Sequence, residues 1–332
     1  MSSNAIKNTQ VRYFGTIFII KKIAQSYRNN SCKTLLLVEG PTDMEFVKDH
    51  LHEHVVCETI KVLLDVLECF KQNLENVNCR ETIIELCRNY QDPNFSNYTP
   101  NKDKLCIYGI VDSDNRDDNP VNINTLFFTD THDLETLILS TDYKILFRIS
   151  EGKISSDDIK KALLLSYQLS VTREVIRENT SSNDLSLGSI SGSLSNIKFN
   201  LFVYDNKINV FKLIHYVNNR NLDKDKINKI IDKVINNKII SEKVDKKTGN
   251  WKGNWKSFDY SKIPNFWNIV NGHDILHFLI YQCKYAKLTF ENKNDYPMDR
   301  RFEQKLVEKY DYSKFTKTNI YKKMKQAGLL TL

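Results

Sequence analysis

Four acids occupy places from which they can share a cation. Glu39 follows the apolar run Leu35-Leu36-Leu37-Val38, and Gly40-Pro41-Thr42-Asp43 comes directly after it. Asp112 and Asp114 follow a second apolar run, Leu105 to Val111, in the same way. Carboxylates gathered at one place repel unless a cation sits among them. A hard ion such as Mg²⁺ takes oxygen ligands, with water and substrate phosphate completing its shell. The chemistry this permits is metal-assisted phosphodiester hydrolysis, in which one ion lowers the pKa of an attacking water and a second stabilises the leaving oxygen. Glu39, Asp112 and Asp114 form the candidate catalytic set, and Glu39 reads equally as metal ligand or as general base. Asp43 reads as a further ligand, or as an acid complementing a helix dipole. Against this stands the plain reading that these are turn acids after strands.

Two other groups carry chemistry. The stretch Thr129-Asp130-Thr131-His132-Asp133-Leu134-Glu135 offers Glu135 as a second-metal ligand, with Asp133 and His132 as groups around the metal or substrate. Asn271-Gly272-His273-Asp274 adds His273 as a phosphate or water contact. Two His-Asp doublets also invite a His-Asp phosphohydrolase reading. Both, however, begin apolar-periodic segments, where acids are common helix starters. Finally, Lys246, Lys247, Lys252 and Lys256 interleave with Trp251 and Trp255. That pattern suits phosphate contacts and base stacking, or a hairpin whose Trp residues cover the core while Lys residues stay in water.

These residues need elements to hold them. An apolar run, a Gly-Pro turn and the spacing of Met44, Phe46, Val47 and Leu51 predict a buried strand, a tight turn and a helix to about His54. Leu105 to Val111 is a second buried strand, and Leu126 to Phe128 a short third one before a helix ending near Ser140. Val55 to Val62 fits a strand, although Ile60 to Phe70 fits a helix equally well. In an extended segment Asp112 and Asp114 would point the same way. If the first two long strands are neighbours, Glu39, Asp112 and Asp114 meet at one sheet edge, where ligands sit in open α/β sheets. Strands alternating with helices predict a mostly parallel sheet flanked by helices. The later chain reads as one or two helices over 157–178, a Ser/Gly/Asn-rich stretch over 180–196 and a hairpin over 201–214. A basic amphipathic helix over 223–238 follows, then helices near 273–286 and 299–327. The expected division is a metal-binding catalytic domain over 1–150, with an N-terminal lead-in, and a basic, mainly helical α+β region over 151–332 that binds substrate or partner.

Composition agrees with a folded chain of one large domain or two ordinary ones: 332 residues, 41% hydrophobic and 27% charged. The net charge of +7 divides unevenly, about −5 over residues 1–150 and +12 over the remainder. An acidic half joined to a basic half suits an enzyme acting on a polyanion, whereas the plain alternative is a solvated Lys-rich surface. The seven Cys, at 32, 57, 69, 79, 87, 106 and 283, have neither disulfide-framework nor zinc spacing, which argues for a reducing cytoplasm. The apolar run from Tyr13 to Ile20 is too short to span a membrane and lacks a signal-peptide cleavage site. The chain carries no P-loop spelling, so any ATPase step needs a partner.

The pair of acid motifs resembles the TOPRIM domain, whose signature is a Glu after one strand and a DxD after a later one. Here these are Glu39 and Asp112/Asp114. Val-Glu-Gly-x-Thr-Asp looks most like the OLD-type nucleases, and that resemblance implies a role for Asp43. The Thr-Asp-x-His-Asp-Leu-Glu segment at 129–135 and the Gly-His-Asp segment at 272–274 resemble a TOPRIM family that includes the nuclease subunit of the PARIS anti-phage system. The resemblance implies a Mg²⁺- or Mn²⁺-dependent nuclease, with two ions, acting as a toxic defence effector on RNA such as tRNA. It further implies control by a separately encoded ABC-type ATPase, allows a homodimer, and requires no membrane. The alternatives are a nucleic-acid-binding or ATPase-docking subunit without catalysis, and a DNA endonuclease of OLD type.

Overall fold

The computed structural model describes residues 19–20, 22–23, 34–66, 78–91, 105–114, 122–150, 152–180, 199–218, 222–282 and 298–331. Most of the lead-in, residues 115–121 and most of the Ser/Gly/Asn-rich stretch at 180–196 lie outside the described residues. The chain folds as two compact units, one comprising 1–130 with 311–332 and the other 131–310.

The first unit is α/β. Its four strands, β1 (Thr34–Val38), β2 (Val55–Thr59), β3 (Cys106–Val111) and β4 (Leu126–Phe128), form a parallel sheet in the order β2-β1-β3-β4. β1 is buried along its whole length, as a central strand covered on both faces must be, and this explains its unbroken apolar run. Helix α1 (Pro41–Val47) packs beside β1 and β2, and α2 (Ile60–Val66) follows β2. Helix α3 (Cys79–Gln91) packs on β3, placing Ile83 and Cys87 over Gly109. A Cβ at Gly109 would lie 2.4 Å from Ile83 Cγ2, so only glycine allows that approach.

The helix expected to reach His54 ends at Val47 and passes into a single 3₁₀ turn, Lys48–His50. Tertiary pairing decides this end: His52 N–H donates to the Leu329 carbonyl and Leu51 bridges Leu330. The two readings of 55–70 are both realised in succession, strand to Thr59 and then helix from Ile60. The carboxyl-terminal segment returns to this unit, where the Asp130 carboxylate accepts the Asn319 and Ile320 amides and Phe315 packs on Phe46 at 4.8 Å. Hence the division by contact falls after Asp130, with 311–332 on the first side, rather than at 150.

The second unit is mainly helical. Its elements are α4 (Leu134–Asp142), α5 (Ile145–Ile149), α6 (Ser156–Asn179), a two-residue hairpin β5/β6 (Val203–Tyr204, Lys207–Ile208), α7 (Val210–Tyr216), α8 (Lys224–Asn236), α9 (Phe266–Ile269), α10 (Gly272–Gln282) and α11 (Met298–Glu308). Ser155 and Asp223 cap α6 and α8, each accepting an amide three residues on. The hairpin expected over 201–214 is only its tip. Asp205 and Asn206, at φ of 48° and 54°, make the turn, and from Val210 the chain is helical. The helix expected over 299–327 is three pieces, α11, α12 (Tyr312–Phe315) and α13 (Asn319–Gln326), because Asp311 and Thr318 cap new starts.

Candidate metal centres

The carboxyl edge of the parallel sheet brings the first acid group together. β1 and β3 are neighbours, so Glu39 and Asp112 stand side by side at the strand ends, and Glu39 Oε1 accepts the Asp112 N–H at 2.8 Å. In the order β2-β1-β3-β4 the chain leaves β1 toward β2 and leaves β3 toward β4, in opposite directions. This edge is therefore the switch point at which open parallel sheets form ligand crevices. Asp43 Oδ2 accepts the Gly40 N–H at 2.8 Å, turning that acid back toward Glu39. Burial, followed by the charges of Asp43 and Asp114, pushes the Glu39 carboxyl up to about 7 against the opposing pull of the Asp112 amide and Arg80.

Asp112 and Asp114 do not share a face by strand alternation, as extended geometry would have it. β3 ends at Val111, and Asp114 sits in a turn in the left-handed region, at φ 52°. Asp tolerates that region because its short side chain bonds locally. Two contacts hold the turn: Ser113 N–H donates to Thr129 Oγ1 at 3.0 Å, and Arg80 Nε donates to the Asp112 carbonyl at 3.2 Å. Arg80 is 6% exposed, and its Nε lies 3.6 Å from Asp114 Oδ2. Nothing in the sequence singles out Arg80; it sits in the first turn of α3, far from either acid motif in the chain.

The second acid group is built where α4 and α10 begin. Asp133 caps α4, accepting the Thr136 amide at Oδ1 and the Gly272 amide of α10 at Oδ2, both at 2.8 Å. Two helix N-termini thus share one carboxylate. His132 Nδ1 lies 3.2 Å from Asp133 Oδ2. Although burial raises it, Asp133 falls to about 2 through His132, His273 and the Thr136 amide. Gly272 is obligatory at this crossing, since a Cβ there would meet Glu135 Cβ at 2.3 Å and Asp133 Oδ1 at 2.6 Å. Asp274 is bound by the guanidinium of Arg173 through both oxygens. Both Asp residues of the His-Asp doublets therefore have structural tasks, Asp133 at two helix starts and Asp274 in an ion pair. Glu135 and His273 do meet, and Glu303 of α11, absent from every motif, joins them with donor atoms within 4.8 Å. Glu135 and Glu303 raise the His273 imidazole well above its ordinary value.

The basic aromatic segment divides. Trp251 is 4% exposed and donates from Nε1 to Thr172 Oγ1 at 3.1 Å, so it is a core residue and cannot stack a base. Trp255 is partly exposed, with Lys161 Nζ and Lys256 Nζ at 4.7 and 5.7 Å from its ring centre. Lys246, Lys247, Lys252 and Lys256 are all exposed. Among the described residues no helix is long and apolar enough to cross a membrane. Compared with family models, curated proteins and solved structures, the chain matches none.

Proposed function

We propose that this protein is a metal-dependent phosphodiester hydrolase of TOPRIM type, with Glu39, Asp43, Asp112 and Asp114 as its metal-binding acids and nucleic acid as its substrate. The observation that carries this reading is the convergence of Glu39 and Asp112 at the carboxyl edge of adjacent parallel strands, with Asp43 and Asp114 close enough to raise the Glu39 carboxyl. The donor set fits a hard divalent cation, because it is all carboxylate oxygen and its mutual repulsion is what such a cation relieves. When bound, Mg²⁺ or Mn²⁺ supplies an activated water and stabilises charge on the phosphate.

The remaining roles belong to side chains of the chain itself. The Asp112 amide fixes the orientation of Glu39, whose carboxyl, raised to about 7 without the ion, would give up its proton when the ion binds. Arg80 holds the Asp112–Asp114 turn in place and brings a buried positive charge to the edge. Exposed Lys residues beside Trp255 suit phosphate and base contact by an unpaired strand. On the motif resemblance the substrate is RNA such as tRNA, the setting is cytoplasmic anti-phage defence, and release is governed by an ABC-type ATPase.

The test is cleavage of labelled tRNA, single-stranded RNA and duplex DNA with Mg²⁺ or Mn²⁺, alone and with a neighbouring ATPase if one is encoded. Cutting that requires the ion and disappears in Glu39→Ala and Asp112→Ala is the expected result. Absence of cutting under every condition, with nucleic-acid binding retained in both variants, would replace the enzyme by a binding subunit.

A further inference from the structure

Glu135, His273 and Glu303 come from α4, α10 and α11 of the 131–310 unit. We infer that His273 and Glu135 bind a divalent transition-metal ion, Zn²⁺ or Mn²⁺, while Glu303 orients the imidazole. The asymmetry of the histidine carries the argument. Its Nδ1 lies 2.8 Å from Glu303 Oε1, a full hydrogen bond. Its Nε2 faces Glu135 Oε2 across 3.8 Å, beyond hydrogen-bond reach. An ion at ordinary Zn–N and Zn–O lengths in tetrahedral geometry separates its N and O ligands by about 3.4 Å, so a small closure of the pair admits one. If Nδ1–H donates to Glu303, the Nε2 side of the ring is what faces the gap, and an ion there would replace an Nε2 proton. A carboxylate, a histidine and a metal in that order is the common arrangement around metal-bound imidazole.

Burial and access agree with this assignment. Glu135 is 4% exposed and faces His273, so an ion placed between them would be held largely away from bulk water. The His273 side chain is 43% exposed, which leaves a path for an ion and for water to complete its shell. Gly272 gives the site its geometry, because only a residue without Cβ lets α10 start against Glu135 and bring the next side chain, His273, beside it. The mixed imidazole and carboxylate donors favour a borderline transition ion over Mg²⁺. The inference takes Glu135, which the sequence offered as a second-metal ligand, into a site with His273 and Glu303 that does not require the acids at the sheet edge.

The experiment is pulsed electron paramagnetic resonance of the full chain loaded with Mn²⁺, reading nitrogen coupled directly to the ion. The proposed nuclease acids contain no nitrogen donor, so the signal separates the two sites. We expect a nitrogen-coordinated ion in the wild type and in the Glu39→Ala/Asp112→Ala double variant, and its loss in His273→Gln. Glu303→Gln should weaken that ion about 10–100-fold, a readout that survives if His273→Gln fails to fold. Absence of nitrogen coupling in saturated wild-type protein, or its persistence in folded His273→Gln, would overturn the assignment and leave an ion-paired imidazolium.

Discussion

Glu39 in the first unit and Asp133 in the second are both acids largely withdrawn from water, yet one carboxyl is pushed up to about 7 and the other is held down at about 2. Burial acts in the same direction on both. What differs is the company. Glu39 stands at strand ends among Asp43 and Asp114, with one amide and one guanidinium opposing the crowding. Asp133 sits where two helices begin and receives both of their amides, with His132 beside it. The first arrangement leaves negative charge in excess and so suits binding a cation; the second satisfies its charge completely and suits holding two helices together. A carboxylate's environment, rather than its depth, separates a candidate ligand from a structural cap.

The sharpest break of this comparison is chemical. Glu39→Ala and Asp112→Ala should lower kcat/KM for nucleic-acid cleavage by about a thousandfold or more, given the several kcal/mol that bound metal contributes, while circular dichroism stays unchanged. A variant that unfolds instead would give Glu39 a structural role like that of Asp133.

Next comes pH. Between about 4.5 and 7 the native Glu39 carboxyl holds a proton that the unfolded chain has released, so stability falls as pH rises through that window. At ~1.4 kcal/mol per unit the effect is on the order of 3 kcal/mol. Glu39→Gln should flatten that fall in denaturant titrations, and Mg²⁺ should move the Glu39 midpoint downward with release of protons. Asp133 has the opposite sign: its contribution is present above about 3.8 and is lost as pH falls through about 2. Asp133→Asn should remove only that acid-side loss, at a cost in neutral stability.

Gly272→Ala should destabilise the second unit by about 2 kcal/mol, within the range for overpacked crossings, measured as a drop in the denaturation midpoint. Nuclease activity at a permissive temperature separates the two acid groups: if it persists, cleavage does not depend on the α4–α10 crossing. The smallest expected effect is that of Trp255→Ala. Loss of one stacked base should weaken single-stranded RNA binding by about 1 kcal/mol, read by fluorescence anisotropy, with little change in thermal midpoint because the side chain is not in the core. Equal weakening for duplex DNA would point to electrostatics instead.

Apolar runs and turn signals were legible in the one-dimensional chain. Leu35–Val38 and Leu105–Val111 announce buried strands, because burial on both faces is a local demand on residue type, and the helical spans read over 157–178 and 223–238 are found as α6 and α8. The convergence of Glu39 with Asp112 was legible only as a condition, that the strands be neighbours; strand order decided it. Neither the left-handed turn at Asp114 nor Arg80 beneath it was legible, since both depend on how α3 lies over β3. The same holds for Glu303, which carries no motif and joins His273 only through helix packing, and for Trp251, whose pattern with lysines looks the same whether it faces water or Thr172. Sequence by itself determined which segments bury as strands and roughly where the longest helices lie. Tertiary structure decided which acids stand together, because electrostatic company is a matter of distance in space that spacing along the chain does not encode.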